Sequence, residues 1–260
     1  MIFETFAEGI LQADGKFMKE TGIDPMQQSN IGCVVEDVVD AELSMKKLEK
    51  SRLFVDTLAD AEGHPVDAGI KETIAVLNAY DIPTTQSCEG HSDQKSGRPY
   101  PWVRVGIDGE PVERFVGQEA AFQQAALERG VPVEDLKRGD PEELFWELIK
   151  TVSENDETDE FKKWSSRNGE VLERVRTLLN EFYQGREIDE DVKLIIEEGV
   201  GGEFELRSNE AQNNEVIFGE ISPEDFSQIV QKLHLRQVEM MEFTNFVRMK
   251  LLKKNGNSEG

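Results

Sequence analysis

The chain has 260 residues, 38% of them hydrophobic, which supplies a core for one large domain or two small ones. Twenty-nine basic against 53 acidic residues give a formal charge of −24 at pH 7, which repels phosphate backbones and anionic membranes and makes nucleic acid an unfavoured partner. No run approaches the roughly 20 apolar residues that cross a bilayer. The N-terminal stretch carries Glu4 and Glu8 where a secretory signal carries Lys or Arg, and two cysteines, Cys33 and Cys88, are too few for a disulfide framework. A cytoplasmic, reduced protein with no membrane partner is expected.

The first forty residues show no sustained period. Within them Ile31-Gly32-Cys33-Val34-Val35 is apolar, and Cys33 is expected to be a buried, inert thiol. Residues 41–60 read as a helix with Met45, Leu48, Val55 and Leu58 on one face. Asp67 fits the N-cap of a second helix, whose buried stripe is Ile70, Ile74 and Leu77 and which ends near Tyr80. A short strand begins at Ile82-Pro83-Thr84-Thr85, residues 92–101 form a polar loop, and Val103, Val105 and Ile107 alternate on one face of the next strand.

Pro111 opens a helix expected to run to Gly130, which suits a C-terminal cap. Asp140-Pro141-Glu142-Glu143 reads as an N-cap followed by proline and acids, and it starts a helix carrying Leu144, Phe145, Leu148, Ile149 and Val152. An acidic stretch at 153–160 precedes a helix with Trp164, Val171, Val175, Leu178 and Phe182, closed by Gly185. Strands at 192–196 and 203–207 form a hairpin around Gly199, Gly201 and Gly202, and 216–218 is a third short strand. Ser222-Pro223-Glu224-Asp225 then starts a long helix to about Leu252, and the polar tail 253–260 is expected to be disordered. Its Phe243, Phe246, Val247, Met249 and Leu251 are expected to cover the sheet, and His234 is expected to be structural.

Strands arrive in adjacent pairs rather than singly between helices, which predicts an α+β fold with a mostly antiparallel sheet of short paired strands covered by several helices. Residues 1–252 are read as a single domain, with 153–160 the one candidate boundary. No internal repeat is present.

The segment Thr84-Thr85-Gln86-Ser87-Cys88-Glu89-Gly90-His91 concentrates hydroxyls, a thiol, a carboxylate, a glycine and an imidazole in one turn. A helix of about fourteen residues covers about 21 Å and a strand of about seven covers about 23 Å. Packed antiparallel through the turn at Asp81, the strand therefore returns Cys88 and His91 to the helix start, near His64 and Asp67. Three chemistries fit such a cluster. The first is a zinc or other divalent metal site from His64, Asp67, Cys88, Glu89 and His91, with Cys88 and His91 in C-x-x-H spacing. The second is catalysis by a Cys88 thiolate of lowered pKa, with His91 or His64 as base. The third is binding of a small anion by helix-start amides, Thr85, Ser87 and Arg98, with Gly90 admitting a close backbone approach. Tyr100 and Trp102, aromatics entering a strand, are expected in the core, with a pocket wall as the alternative.

Residues 66–70, Leu77-Asn78 and the T-T-Q-S-C-E-G-H turn resemble uncharacterised bacterial and phage proteins with a helix, a T-T-x-S-C-x-G-H turn and a P-W-V or P-Y-V strand. The same stretch, about 40 residues, is similar to the methyltransferase-type family of the transfer-RNA wybutosine pathway, whose turn reads T-T-S-S-C-S-G-R. That resemblance implies a helix–strand–turn unit with a site at its tip, in which Ser87, Cys88 and Gly90 fall at the family's motif positions, and a transfer-RNA-modifying activity. Here His91 replaces the family's arginine and Glu89 adds a negative charge. Three readings follow from the sequence: a small-molecule or metal site at the turn, a non-catalytic interaction or structural protein, and a transfer-RNA-modifying enzyme with Arg98 and Arg104 as its basic contacts.

Overall fold

The computed structural model describes residues 41–60, 62–92, 98–199, 204–209 and 222–253. The chain divides into two compact units, 48–248 and a second composed of 1–47 with 249–260. Of the second, 41–47 and 249–253 are described, and both pieces are helical. Cys33, Gly201, Gly202, the strand expected at 216–218 and the tail beyond Lys253 lie outside the described residues. Among the described residues there are seven helices and one four-stranded, wholly antiparallel sheet, an α+β fold. None of these helices is long and apolar enough to cross a membrane.

The first helix, α1, spans 41–55. Its buried stripe is Ser44, Leu48, Ser51 and Val55, an i, i+4, i+7, i+11 series that includes two small hydroxyls. Met45, expected on this face, is exposed, because the stripe is centred one residue earlier. Leu58 lies beyond the helix end in a turn. Helix α2, Lys71–Ala79, buries Ile74 and Leu77, with Ile70 buried at its N-cap. No side chain caps it; the Asp67 carbonyl accepts from the amides of Ile70 and Lys71 while its carboxylate turns elsewhere. The expected Asp67 cap is thus replaced by a backbone turn.

Asp81 takes φ +63° and Ile82 donates its amide to the Leu77 carbonyl, reversing the chain into β1, Thr84–Cys88. The Asn78 side chain holds the entry to the strand, accepting from the Thr84 amide at 3.2 Å and donating to Thr84 Oγ1 at 3.1 Å. Strand β2, Trp102–Val105, pairs antiparallel with β1, placing Cys88 opposite Trp102 and Gln86 opposite Arg104. Val103 and Val105 are buried. Ile107 falls past the strand end, where its amide and carbonyl are clamped by Asn168 Oδ1 and Trp164 Nε1.

Residues 111–117 do not form the helix expected from Pro111. Phe115 bridges to Glu157, and Val116 donates its amide to the Asp156 carbonyl, tying this stretch to a segment forty residues away. Helix α3, Gln118–Arg129, starts only after Gly117 at φ +82° and ends at Gly130 at φ +68°. Helix α4 is Val133–Lys137 and α5 is Glu142–Val152. Pro141, not Asp140, occupies the N-cap of α5, with Glu142 and Glu143 in the first turn. A small core of Phe122, Ala125, Ala126 and Leu136 is completed by Leu144, Phe145, Leu148 and Ile149.

Helix α6, Asp159–Tyr183, is capped by Thr158, whose side chain accepts from the Phe161 amide. It buries Trp164, Val171, Val175, Leu178 and Phe182, the five expected positions. Strands β3, Leu194–Glu198, and β4, Phe204–Ser208, pair antiparallel, and the sheet order is β1-β2-β4-β3. Val105, Phe204 and Leu206 meet Leu172 and Val175 of α6. The last helix, α7, is Pro223–Lys253, with Ser222 Oγ accepting from the Asp225 amide at 3.1 Å. Phe243 and Val247 are fully buried, and the Phe182 ring packs edge-on against Phe243. Met249 and His234 are exposed. A buried hydrogen bond between Thr73 and Thr244 hydroxyls joins α2 to α7.

Candidate functional site

The antiparallel return of β1 along α2 brings Cys88 and His91 back to the residues preceding the helix. One ligand atom each from Asp67, Cys88 and His91 lies within 4.8 Å of the other two. His91 Nε2 is 3.6 Å from Asp67 Oδ2. The three side chains come from two segments about twenty residues apart, and each is half-buried. They line one wall of a cleft of about 810 Å³, whose other walls include Leu58, Asp60, His64, Val66, Thr85, Ser87 and Trp102. All five residues of β1 contribute atoms to the lining of this cleft.

Electrostatics at the thiol run against a free nucleophile. Burial pushes the Cys88 thiol above its ordinary value, the Asp67 and Glu89 carboxylates push it further, and the Gly90 amide, 3.4 Å from Sγ, pulls the other way. A protonated thiol at neutral pH is therefore the resting form, opposite to the lowered pKa expected from a nearby helix start. A divalent cation held between the three groups would reverse that balance, because its charge would outweigh the two carboxylates.

Two residues expected as ligands stand apart from the three. His64 lines the same cleft, but its Nδ1 lies 3.2 Å from Asp60 Oδ2, and it is highly exposed. Asp60 also accepts the amides of Glu62 and His64, and these bonds hold its carboxyl below the usual range. Asp60, four residues before His64, is the site residue that sequence reasoning missed; the Asp-x-x-x-His spacing was its available signal. Glu89 is not among the residues that line the cleft: its Oε2 accepts the Gly69 amide at 2.6 Å, and its own amide donates to Asp67 Oδ2 at 3.2 Å.

Of the groups expected to hold an anion, several have partners within the protein: the Gly69 amide donates to Glu89, and the amides of Ile70 and Lys71 donate to the Asp67 carbonyl. Arg98 lies at the cleft but pairs with Glu205 Oε1 at 2.6 Å, its guanidinium 5.5 Å from the Trp102 ring centre. Thr85 and Ser87 do line the cleft. Gly90 serves packing rather than ligand approach: it is buried at φ +84°, and a Cβ there would lie 2.6 Å from the Tyr100 carbonyl carbon and 2.7 Å from Leu233 Cδ1. Helix α7 fixes the loop from behind, with Gln237 Nε2 donating to the Glu89 carbonyl and Arg236 Nη1 to the Pro99 carbonyl.

No protein-family model, curated protein or solved structure matches this chain.

Proposed function

We propose that Asp67, Cys88 and His91 bind a divalent metal ion of the zinc type, and that this ion activates water for hydrolysis of a small polar molecule held in the cleft. The observation that carries the reading is the convergence of carboxylate, thiol and imidazole within 4.8 Å on the wall of an open cleft. Three protein ligands of these types suit zinc, and a three-ligand set leaves a fourth position for water, the pattern of catalytic rather than structural sites. A zinc-bound water has a pKa near 7 and supplies hydroxide at neutral pH.

His64 complements the ion. The Asp60 carboxylate at Nδ1 favours the tautomer that leaves Nε2 as the basic nitrogen. A zinc ion held by Asp67, Cys88 and His91 would supply an activated water, and His64, which lines the same cleft, would be the residue to accept that water's proton as it attacks an electrophilic carbon or phosphorus and the leaving group departs. His64 would then return that proton to the leaving atom. Thr85, Ser87 and Trp102 line the same cleft and are the residues a bound substrate would meet. The transfer-RNA reading lacks its expected support at Arg98, whose charge is paired with Glu205.

The test is elemental analysis of untagged protein purified without chelator, beside a Cys88→Ser/His91→Ala double variant. About one equivalent of zinc, lost in the variant with the fold retained, is the expected result. A metal-free wild-type protein that also takes up none on dialysis against zinc would overturn the proposal and leave the motif a tightly bonded turn.

A further inference from the structure

We infer that Glu89 is not a ligand but the positioning residue that sets the metal affinity of this site, an inference that rests on the metal-site reading above. The site is built from two arms, the 64–69 turn carrying Asp67 and the 88–91 loop carrying Cys88 and His91. Glu89 ties the arms together twice, and the two bonds run in opposite directions. Its amide donates to Asp67 Oδ2 at 3.2 Å, which orients the carboxylate, and its own Oε2 accepts the Gly69 amide at 2.6 Å, which fixes the turn. The same residue's carbonyl accepts from Gln237 Nε2 at 3.1 Å, anchoring the loop to α7.

Gly69 is the other half of the device. A Cβ at that position would lie 2.7 Å from Glu89 Oε2, so a side chain at residue 69 would push the carboxylate off its bond to the Gly69 amide. A carboxylate just before a helix is also favoured by the positive end of the dipole of α2. The consequence is that the ligands are held together before the ion arrives, and the energy of assembling them is not charged to binding. Groups that orient metal ligands in this way are worth 10- to 100-fold in affinity.

The role is separated from that of a ligand by which substitutions matter. Glu89→Gln keeps an oxygen that accepts the Gly69 amide but is a poor metal ligand, whereas Glu89→Ala removes the acceptor, and Gly69→Ala displaces it. Zinc dissociation constants would be measured by competition with a chromophoric chelator at fixed pH, with amide spectra of each variant recorded alongside. Expected are roughly 10- to 100-fold weaker binding in Glu89→Ala and Gly69→Ala, and Glu89→Gln within about threefold of wild type.

If Glu89→Ala lowers thermal stability but leaves zinc affinity unchanged, the residue is merely structural and the inference is overturned. If Glu89→Gln is as weak as Glu89→Ala, Glu89 is a fourth ligand and the inference is again overturned. Failure of the wild-type protein to bind zinc would instead overturn the metal-site reading itself, so the two failures are distinguishable.

Discussion

Gly90→Ala measures how tightly the candidate site is seated on the rest of the molecule. Gly90 has φ +84°, and a methyl group there meets the Tyr100 carbonyl carbon at 2.6 Å, its oxygen at 2.8 Å and Leu233 Cδ1 at 2.7 Å. Leu233 can change rotamer, but the Tyr100 carbonyl is backbone leading into β2. Gly63 provides the control: its φ of +87° is nearly the same, yet a Cβ there meets no atom within 4 Å. The left-handed conformation alone costs an alanine about 1–2 kcal/mol, which is the whole effect expected for Gly63→Ala. Overpacking against fixed atoms adds about 1–3 kcal/mol, so Gly90→Ala is expected to cost roughly 2–5 kcal/mol. Urea unfolding of both variants measures the difference, and zinc titration of Gly90→Ala should show the Cys88–His91 loop displaced as weakened binding. Equal midpoints for the two alanine variants would refute the packing argument.

Other outcomes follow from the same geometry. Glu239, its side chain 4% exposed, accepts from Arg186 Nη2 at 3.1 Å, so Glu239→Ala removes the carboxylate partner of a half-buried guanidinium that keeps its stacking on the Phe182 ring, and is expected to cost about 1–3 kcal/mol in denaturant unfolding; a loss under about 1 kcal/mol would mean that solvent screens the pair. In metal-free protein, alkylation of Cys88 by iodoacetamide, followed by peptide mapping to separate it from Cys33, is expected to be slow at pH 7 and to accelerate only at alkaline pH, because burial and Asp67 hold the thiol protonated; fast labelling at pH 7 would contradict that. Glu119, Asp191 and Glu197 have carboxyls held below their ordinary values by Lys137, Lys232 and Arg207 respectively. Their contribution is present above the unfolded carboxyl pKa of about 4 and is lost as pH falls through the folded values. Stability should therefore drop below about pH 4, with proton uptake on unfolding, and a flat profile from pH 5 to 3 would refute it.

Much of this architecture is legible in the residue pattern because its signals are local. The stripe of Trp164, Val171, Val175, Leu178 and Phe182 marks α6, and helix and strand lengths alone bring Cys88 and His91 back to Asp67. The departures trace to non-local contacts. Pro111 carries a helix-start signal, yet the bridge from Phe115 to Glu157 ties this irregular stretch to a distant segment, and the helix starts only after Gly117. Asp67 has the chemistry of an N-cap, but its carboxylate is claimed by the Glu89 amide twenty-two residues on. His64 was legible as a neighbour of the turn and not as Asp60's partner, since proximity does not say which way an imidazole points. Glu89 looked like a ligand because residue type reveals donors and acceptors but not the amide that occupies them.

The central claim, that Asp67, Cys88 and His91 form one metal centre, is tested most directly by titrating metal-free protein with cobalt(II) and recording the near-ultraviolet and visible spectrum. The account predicts saturation at one equivalent, with a thiolate-to-cobalt charge-transfer band that disappears in Cys88→Ser and visible bands that change in Asp67→Asn and His91→Ala. A spectrum identical to that of hydrated cobalt, or one that the Cys88→Ser variant reproduces unchanged, would contradict it.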